Sequence, residues 1–172
     1  MQYTRRYQWR CHKHFWENLN TNPKSPENSL ERLPQDKLTW KPQEKSHTAG
    51  ELGLHIATVP GGIVHLAQQD QSNLPDFSKP WPAPKNVQEI PAALDKSVET
   101  VRRELPKLDD ARMQQNWSGL SNGKPIMTMP KVTLIREIML NHWIQHRGQL
   151  GVCLRLLGAK VPASYGPSGD EI

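Results

Sequence analysis

The chain has 172 residues, 35% apolar and 23% charged, with 15 prolines and 11 glycines, which suits one domain with a real core and several proline-punctuated loops. No window approaches the roughly 18 uncharged apolar residues of a spanning helix, and two cysteines, Cys11 and Cys153, lack disulfide-framework or zinc-knuckle spacing, so no membrane partner and a reducing, cytoplasmic setting are expected. Of the net charge of +5, Arg5, Arg6, Arg10 and Lys13 supply four within an acid-free first 16 residues; the nearly neutral body offers no basic face, and no nucleic acid is expected as partner.

Four helical stretches are predicted, an all-α reading. The first runs roughly from 8 to 33 and is broken, because Pro23 and Pro26 remove amide donors. Only Ser29 to Leu33 reads cleanly. Leu33-Pro34-Gln35-Asp36 makes a turn, and Lys37 to Pro42 a short extended piece whose Trp40 plugs the bundle edge. The second helix opens at Thr48-Ala49-Gly50-Glu51, where Thr48 satisfies an early amide and Glu51 reaches back as a capping box. Leu52, His55, Ile56, Val59, Ile63 and Leu66 follow at three- and four-residue spacing, so they share one face. Pro60-Gly61-Gly62 is expected to kink this helix without ending it, since the apolar face resumes in phase.

From Leu74 to Pro84 a proline-rich connection carrying Trp81 reads as an ordered loop across the bundle end. The third helix, Glu89 to about Leu105, has the row Ile90, Leu94, Val98, Val101, Leu105 and stops at Pro106. Trp117 to Pro130 contains the turn signal Ser121-Asn122-Gly123, read as a small hairpin or an irregular lid. The fourth helix, about 131 to 157, ends at Gly158 and Pro162. One of its faces carries Ile135, Ile138, His142, His146, Gln149, Cys153 and Leu156, another Met139, Trp143, Leu150, Leu154 and Leu157. A helix apolar on two faces is buried on two sides, under the first helix, loops or a second copy of the chain.

His142 and His146 stand four apart on one helical face and can converge on one ion. Two ligands do not make a protein metal site; His55, on the inward row of the second helix, fits as the third. Such a pair also occurs at core edges without metal. Three features favour the site: the cost of burying histidines without partners, the matching position of His55, and outer hydrogen-bonding capacity in Arg147 and Gln149. No Glu follows the first histidine, so the HExxH protease mechanism has no support. Catalytic acid–base residues cannot be placed. His12 and His14 read as solvated, His47 as loop, His65 as surface or core edge, and Cys153 as a small core residue.

The segments GELGLHIA, NHWIQHRGQL and LRLLGAKVPASYGPSGDE, together with LERLPQDKLTWKP, resemble the DinB family of DinB/YfiT-like metalloenzymes from about Ser29 to Glu171. The resemblance implies an up-down-down-up four-helix bundle, often dimeric, that holds a divalent metal, usually nickel or zinc. By motif, the ligands are His55, His142 and His146. It also implies thiol-dependent chemistry, a small thiol being transferred to an electrophilic small molecule; a divalent ion on three neutral histidines equally allows a hydrolase, in which bound water loses its proton and attacks an ester or amide. The competing reading is a noncatalytic, metal-stabilised homodimer. Residues 1–28 match the pattern poorly and are expected to be a degenerate or broken first helix, ahead of a bundle domain at 29–172.

Overall fold

The computed structural model describes residues 29–171. The first helical stretch and the segment 1–28 therefore lie outside the described residues, except that Ser29 and Leu30 are helical, and Leu30 and Leu33 are buried. A single 3-10 turn at Gln35–Lys37 follows. Trp40 packs half-buried against the core. The carbonyls of Trp40 and Leu38 then accept the amides of Ala49 and Gly50 at 2.9 Å each, satisfying donors that the first turn of the next helix cannot pair internally.

That helix, α1 (Ala49–Ala67), begins with the expected capping box: Thr48 Oγ1 accepts from the Glu51 amide at 3.0 Å, and Glu51 Oε2 from the Thr48 amide at 2.7 Å. It runs unbroken through Pro60. Leu52, Ile56 and Val59 are buried as the spacing predicts, but beyond Pro60 Val64 and Ala67 are buried and Ile63 and Leu66 only half-buried. Helix α2 (Glu89–Glu104) packs chiefly on α1 and ends in a 3-10 turn at Leu105–Lys107 that contains Pro106. Ser97, not Val98, takes the buried middle position of its face. A short helix absent from the sequence reading, α3 (Asp110–Gln114), is capped by Asp109, which accepts from the Arg112 amide.

The all-α expectation is corrected here. Strands β1 (Gln71–Asn73), β2 (Asn116–Ser121) and β3 (Lys124–Pro130) form one sheet in the order β1-β2-β3, the first pair parallel and the second antiparallel. The hairpin alternative for 117–130 is the one realised. Asn122 and Gly123 both have positive φ, 49° and 74°, as a tight hairpin turn demands. The sheet is tied to the helices by Lys131, which is 1% exposed and reaches the Asp70 carboxylate at 2.8 Å. That ammonium holds the Asp70 carboxyl below its ordinary range.

The last helical rod has three parts: one turn, α4 (Lys131–Thr133), a π-helical stretch at Leu134–Asn141, and α5 (His142–Leu156). It stops as expected at Gly158, φ 72°, with the Ala159 amide on the Leu154 carbonyl and the Gly158 amide on that of Arg155, the Schellman arrangement. Along α5 the buried side chains are Trp143, His146, Leu150, Cys153 and Leu154, whereas Leu156, assigned by spacing to the histidine face, is 61% exposed. The π stretch carries more residues per turn than a 3.6 periodicity, so the two faces drawn through the whole rod lose phase at its start.

Pro60 and Gly61 act as the packing point for α1. A proline has no amide to give the carbonyl four residues earlier; that carbonyl, of Ile56, instead accepts the buried Trp143 indole N–H at 2.8 Å. On the other side the Gly61 amide donates to Ser97 Oγ of α2 at 2.7 Å, and a Cβ on Gly61 would lie 2.8 Å from the Ser97 Cα. Trp143→Phe leaves the Ile56 carbonyl buried without a donor, and chemical denaturation is expected to show a loss of about 1–3 kcal/mol.

Candidate metal centre

His55 of α1 and His142 and His146 of α5 converge at one point, with one ligand atom from each lying within 4.8 Å of the others. The juxtaposition follows from the packing point. His55 precedes Ile56 and His142 precedes Trp143, so the bond between Trp143 and Ile56 carries both histidines to the same level. His55 Nε2 and His142 Nε2 stand 2.9 Å apart. Zinc–imidazole bonds of about 2.0–2.1 Å in a tetrahedron place neighbouring nitrogens roughly 3.3 Å apart, so this pair needs only a small displacement to fit a common ion. The ring centroids lie 4.3 Å apart for His142 and His146 and 4.8 Å for His55 and His146, with each pair crossing nearly edge to face.

All three rings are held in the form a metal requires. Burial, then the neighbouring His146, His142 and His47, pushes His55 down to about 3. His142 is lowered by burial and by His146. Burial also lowers His146, with Gln149 opposing it through a hydrogen bond and His47 adding to it. Gln149 Oε1 accepts from His146 Nδ1 at 2.6 Å, which leaves the Nε2 lone pair for an ion. The Gln149 expectation is met. Arg147 instead lies over the Trp143 ring at 5.0 Å and the Tyr165 ring at 5.7 Å.

Two aromatic neighbours of the site were not assigned to it by sequence. Trp81, from the loop between β1 and α2, stacks on His55 with centroids 3.9 Å apart and stands edge to face with His146 at 5.5 Å. His47 covers the opposite face of Trp81 at 3.5 Å and 13°. The sequence reading expects the Leu74–Pro84 and Trp117–Pro130 loops to form the pocket rim but does not single out Trp81, whose signal is Pro80-Trp81-Pro82, an aromatic residue held in a stiff segment. His65 is exposed, as expected. Cys153 is buried, and burial pushes its thiol up, away from the nucleophilic thiolate.

The sequence profile of the DinB family matches residues 6–172, nearly the whole chain. The chain belongs to the DinB family. Two solved DinB-like structures share the fold. One, from Bacillus cereus, has 22% identity and a TM-score of 0.62, covering 90% of this chain and 95% of that one. The other, from Bacillus subtilis, has 20% identity and a TM-score of 0.63, covering 90% and 96%. No curated protein gives a significant match. The profile match of this DinB-family protein starts at residue 6 and so takes in most of the segment before Ser29.

Gln149→Ala frees the His146 tautomer, and isothermal titration is expected to show metal affinity about 10–100-fold weaker while the fold is retained. In metal-free protein His55 titrates near 3 when folded against 6.5 when unfolded. The unfolded state therefore binds more protons between those values, and stability falls as pH drops below 6.5. Replacing His55 with Gln removes this contribution and makes the fall of denaturation midpoints across that window less steep, the remainder coming from His142 and His146, which burial also lowers.

Proposed function

We propose that this DinB-family protein binds a divalent cation, nickel or zinc, through His55, His142 and His146, and acts as a metal-dependent enzyme, a thiol S-transferase or a hydrolase, on small electrophilic molecules. The observation that carries the reading is the meeting of three uncharged imidazoles from two helices. Among the described residues no carboxylate or thiol joins this cluster, so a bound cation keeps its full charge and attracts an anionic ligand from outside. A divalent ion so held supplies Lewis acidity, which makes a thiol or water give up its proton near neutral pH.

The chain's own groups hold and shield this centre. Trp143 fixes α5 against α1, Gln149 fixes the His146 tautomer, and Trp81 covers one face of His55. The cytoplasmic setting, the absence of a nucleic-acid partner and the up-down-down-up helix order belong to the same proposal. No helix of the described residues is long and apolar enough to cross a membrane.

A noncatalytic, metal-stabilised homodimer is favoured by a different observation. Ile144, Val152 and Leu156 form an exposed apolar stripe along α5, 41%, 61% and 61% accessible, a face suited to a second copy of the chain. Elemental analysis of purified protein, light scattering and a screen for thiol conjugation separate the readings. Turnover of thiol adducts marks the enzyme. Thermal stabilisation without turnover, about 2.7 kcal/mol with metal at about 100 times its Kd, marks the binding protein. His142→Ala or His146→Ala is expected to abolish stoichiometric metal, and His55→Ala to weaken it at least about tenfold. Unchanged metal content in these variants refutes the assignment.

A further inference from the structure

The loop from Leu74 to Pro84 is anchored at both ends. The Leu74 amide donates to the Leu120 carbonyl at the end of β2, at 2.8 Å. At the other end Pro84 is buried against the start of α1, where a Cβ on Gly50 would come within 3.2 Å of the Pro84 Cδ and 2.9 Å of the Leu38 carbonyl oxygen. Only glycine allows this approach without displacement of backbone. Between the anchors, an Asx turn at Asp76 reverses the chain, with Asp76 Oδ1 accepting from the Ser78 amide at 3.0 Å. Pro80, Pro82 and Pro84 then restrict the backbone around Trp81.

The indole placed this way is not a free platform. His47 lies on one of its faces at 3.5 Å and His55 on the other at 3.9 Å, so neither is open to a stacking ligand. Tilting the ring towards either side breaks a contact. Trp81 also stands 5.5 Å from His146, so it borders the three-histidine cluster along its His55–His146 side. A donor approaching an ion from that side has to pass the edge of a clamped ring.

We propose that Trp81, clamped by His47, is the specificity-determining wall of this centre, and that it admits slim anionic donors, short-chain thiolates and small inorganic anions, while holding off bulky ones. This rests on the metal reading given above. Selectivity of this kind is a difference between two affinities, set by a steric conflict with one class of ligand rather than by a new attraction to the other. The wall acts on binding, without being a ligand and without touching the proton balance of the donor. His47 is a positioning residue that acts through Trp81.

Cobalt-loaded protein tests it, because thiolate-to-cobalt charge-transfer absorption, and for azide the change in the cobalt d–d bands, report ligand binding without any turnover. Azide and 2-mercaptoethanol serve as slim probes and glutathione as the bulky one. Trp81→Ala is expected to tighten glutathione by about tenfold or more while azide and cobalt affinities change by less than about threefold. His47→Ala, which releases one face of the ring, moves glutathione in the same direction by a smaller factor, and Trp81→Phe keeps the proposal testable if the alanine variant does not fold. An equal change for slim and bulky donors, or no change for either, overturns the wall. Failure of the unaltered protein to take up one cobalt ion overturns the metal reading as well, and that outcome is distinct, since the cobalt d–d bands are then missing before any donor is added.

Discussion

The Trp143 indole bonded to the Ile56 carbonyl is the contact on which the arrangement of the centre depends. Within a regular helix that carbonyl would be committed to the amide four residues on, and no side chain from another helix would be needed. Pro60 withdraws the amide, and a buried acceptor without a donor costs about 1–3 kcal/mol. The indole meets the need from a distance of 87 residues in sequence and so fixes which turn of α5 faces which turn of α1. Because a histidine precedes each partner, the same bond that removes a penalty also sets two metal-ligand candidates 2.9 Å apart.

The two residues after Val59 serve opposite sides of the helix. Pro60 opens the carbonyl that Trp143 fills, and Gly61 supplies both an amide for Ser97 and the space that lets α2 come close. The helix therefore continues past Pro60, as the resumed spacing anticipated, because the Ile56 carbonyl and the Gly61 amide each find a partner on a neighbouring element. Rigid packing on both sides matters for the centre, since convergence of imidazoles tolerates errors well below an ångström.

Electrostatics and covering act together around the histidines. Burial and mutual proximity keep the rings uncharged, the state in which a nitrogen lone pair is available. Gln149 chooses which nitrogen of His146 is available, and the stack of His47, Trp81 and His55 closes one side. Gln149, Trp81 and His47 come respectively from α5, the loop between β1 and α2, and the segment before α1. None is contiguous with another.

What the sequence determined by itself was local. The capping box at Thr48, the glycine stop at Gly158, the turn at Asn122-Gly123 and the four-residue spacing of His142 and His146 each depend on neighbours within one or two turns, and each is present in the structure. His55 could be singled out because its row in the second helix is periodic. The three-stranded sheet was not legible as such, since β1 is Gln-Ser-Asn with no apolar alternation and is a strand only because β2 lies beside it. The π stretch at 134–141 likewise departs from the 3.6-residue period used to draw the faces of the last helix, and Leu156, on the last turn of α5, is exposed where spacing put it inside. Tertiary structure alone decided that Trp81 and His47 belong to the centre and that Trp143 is an anchor to α1, because those roles are contacts between segments far apart in the chain, and no local pattern encodes the distance at which two such segments meet.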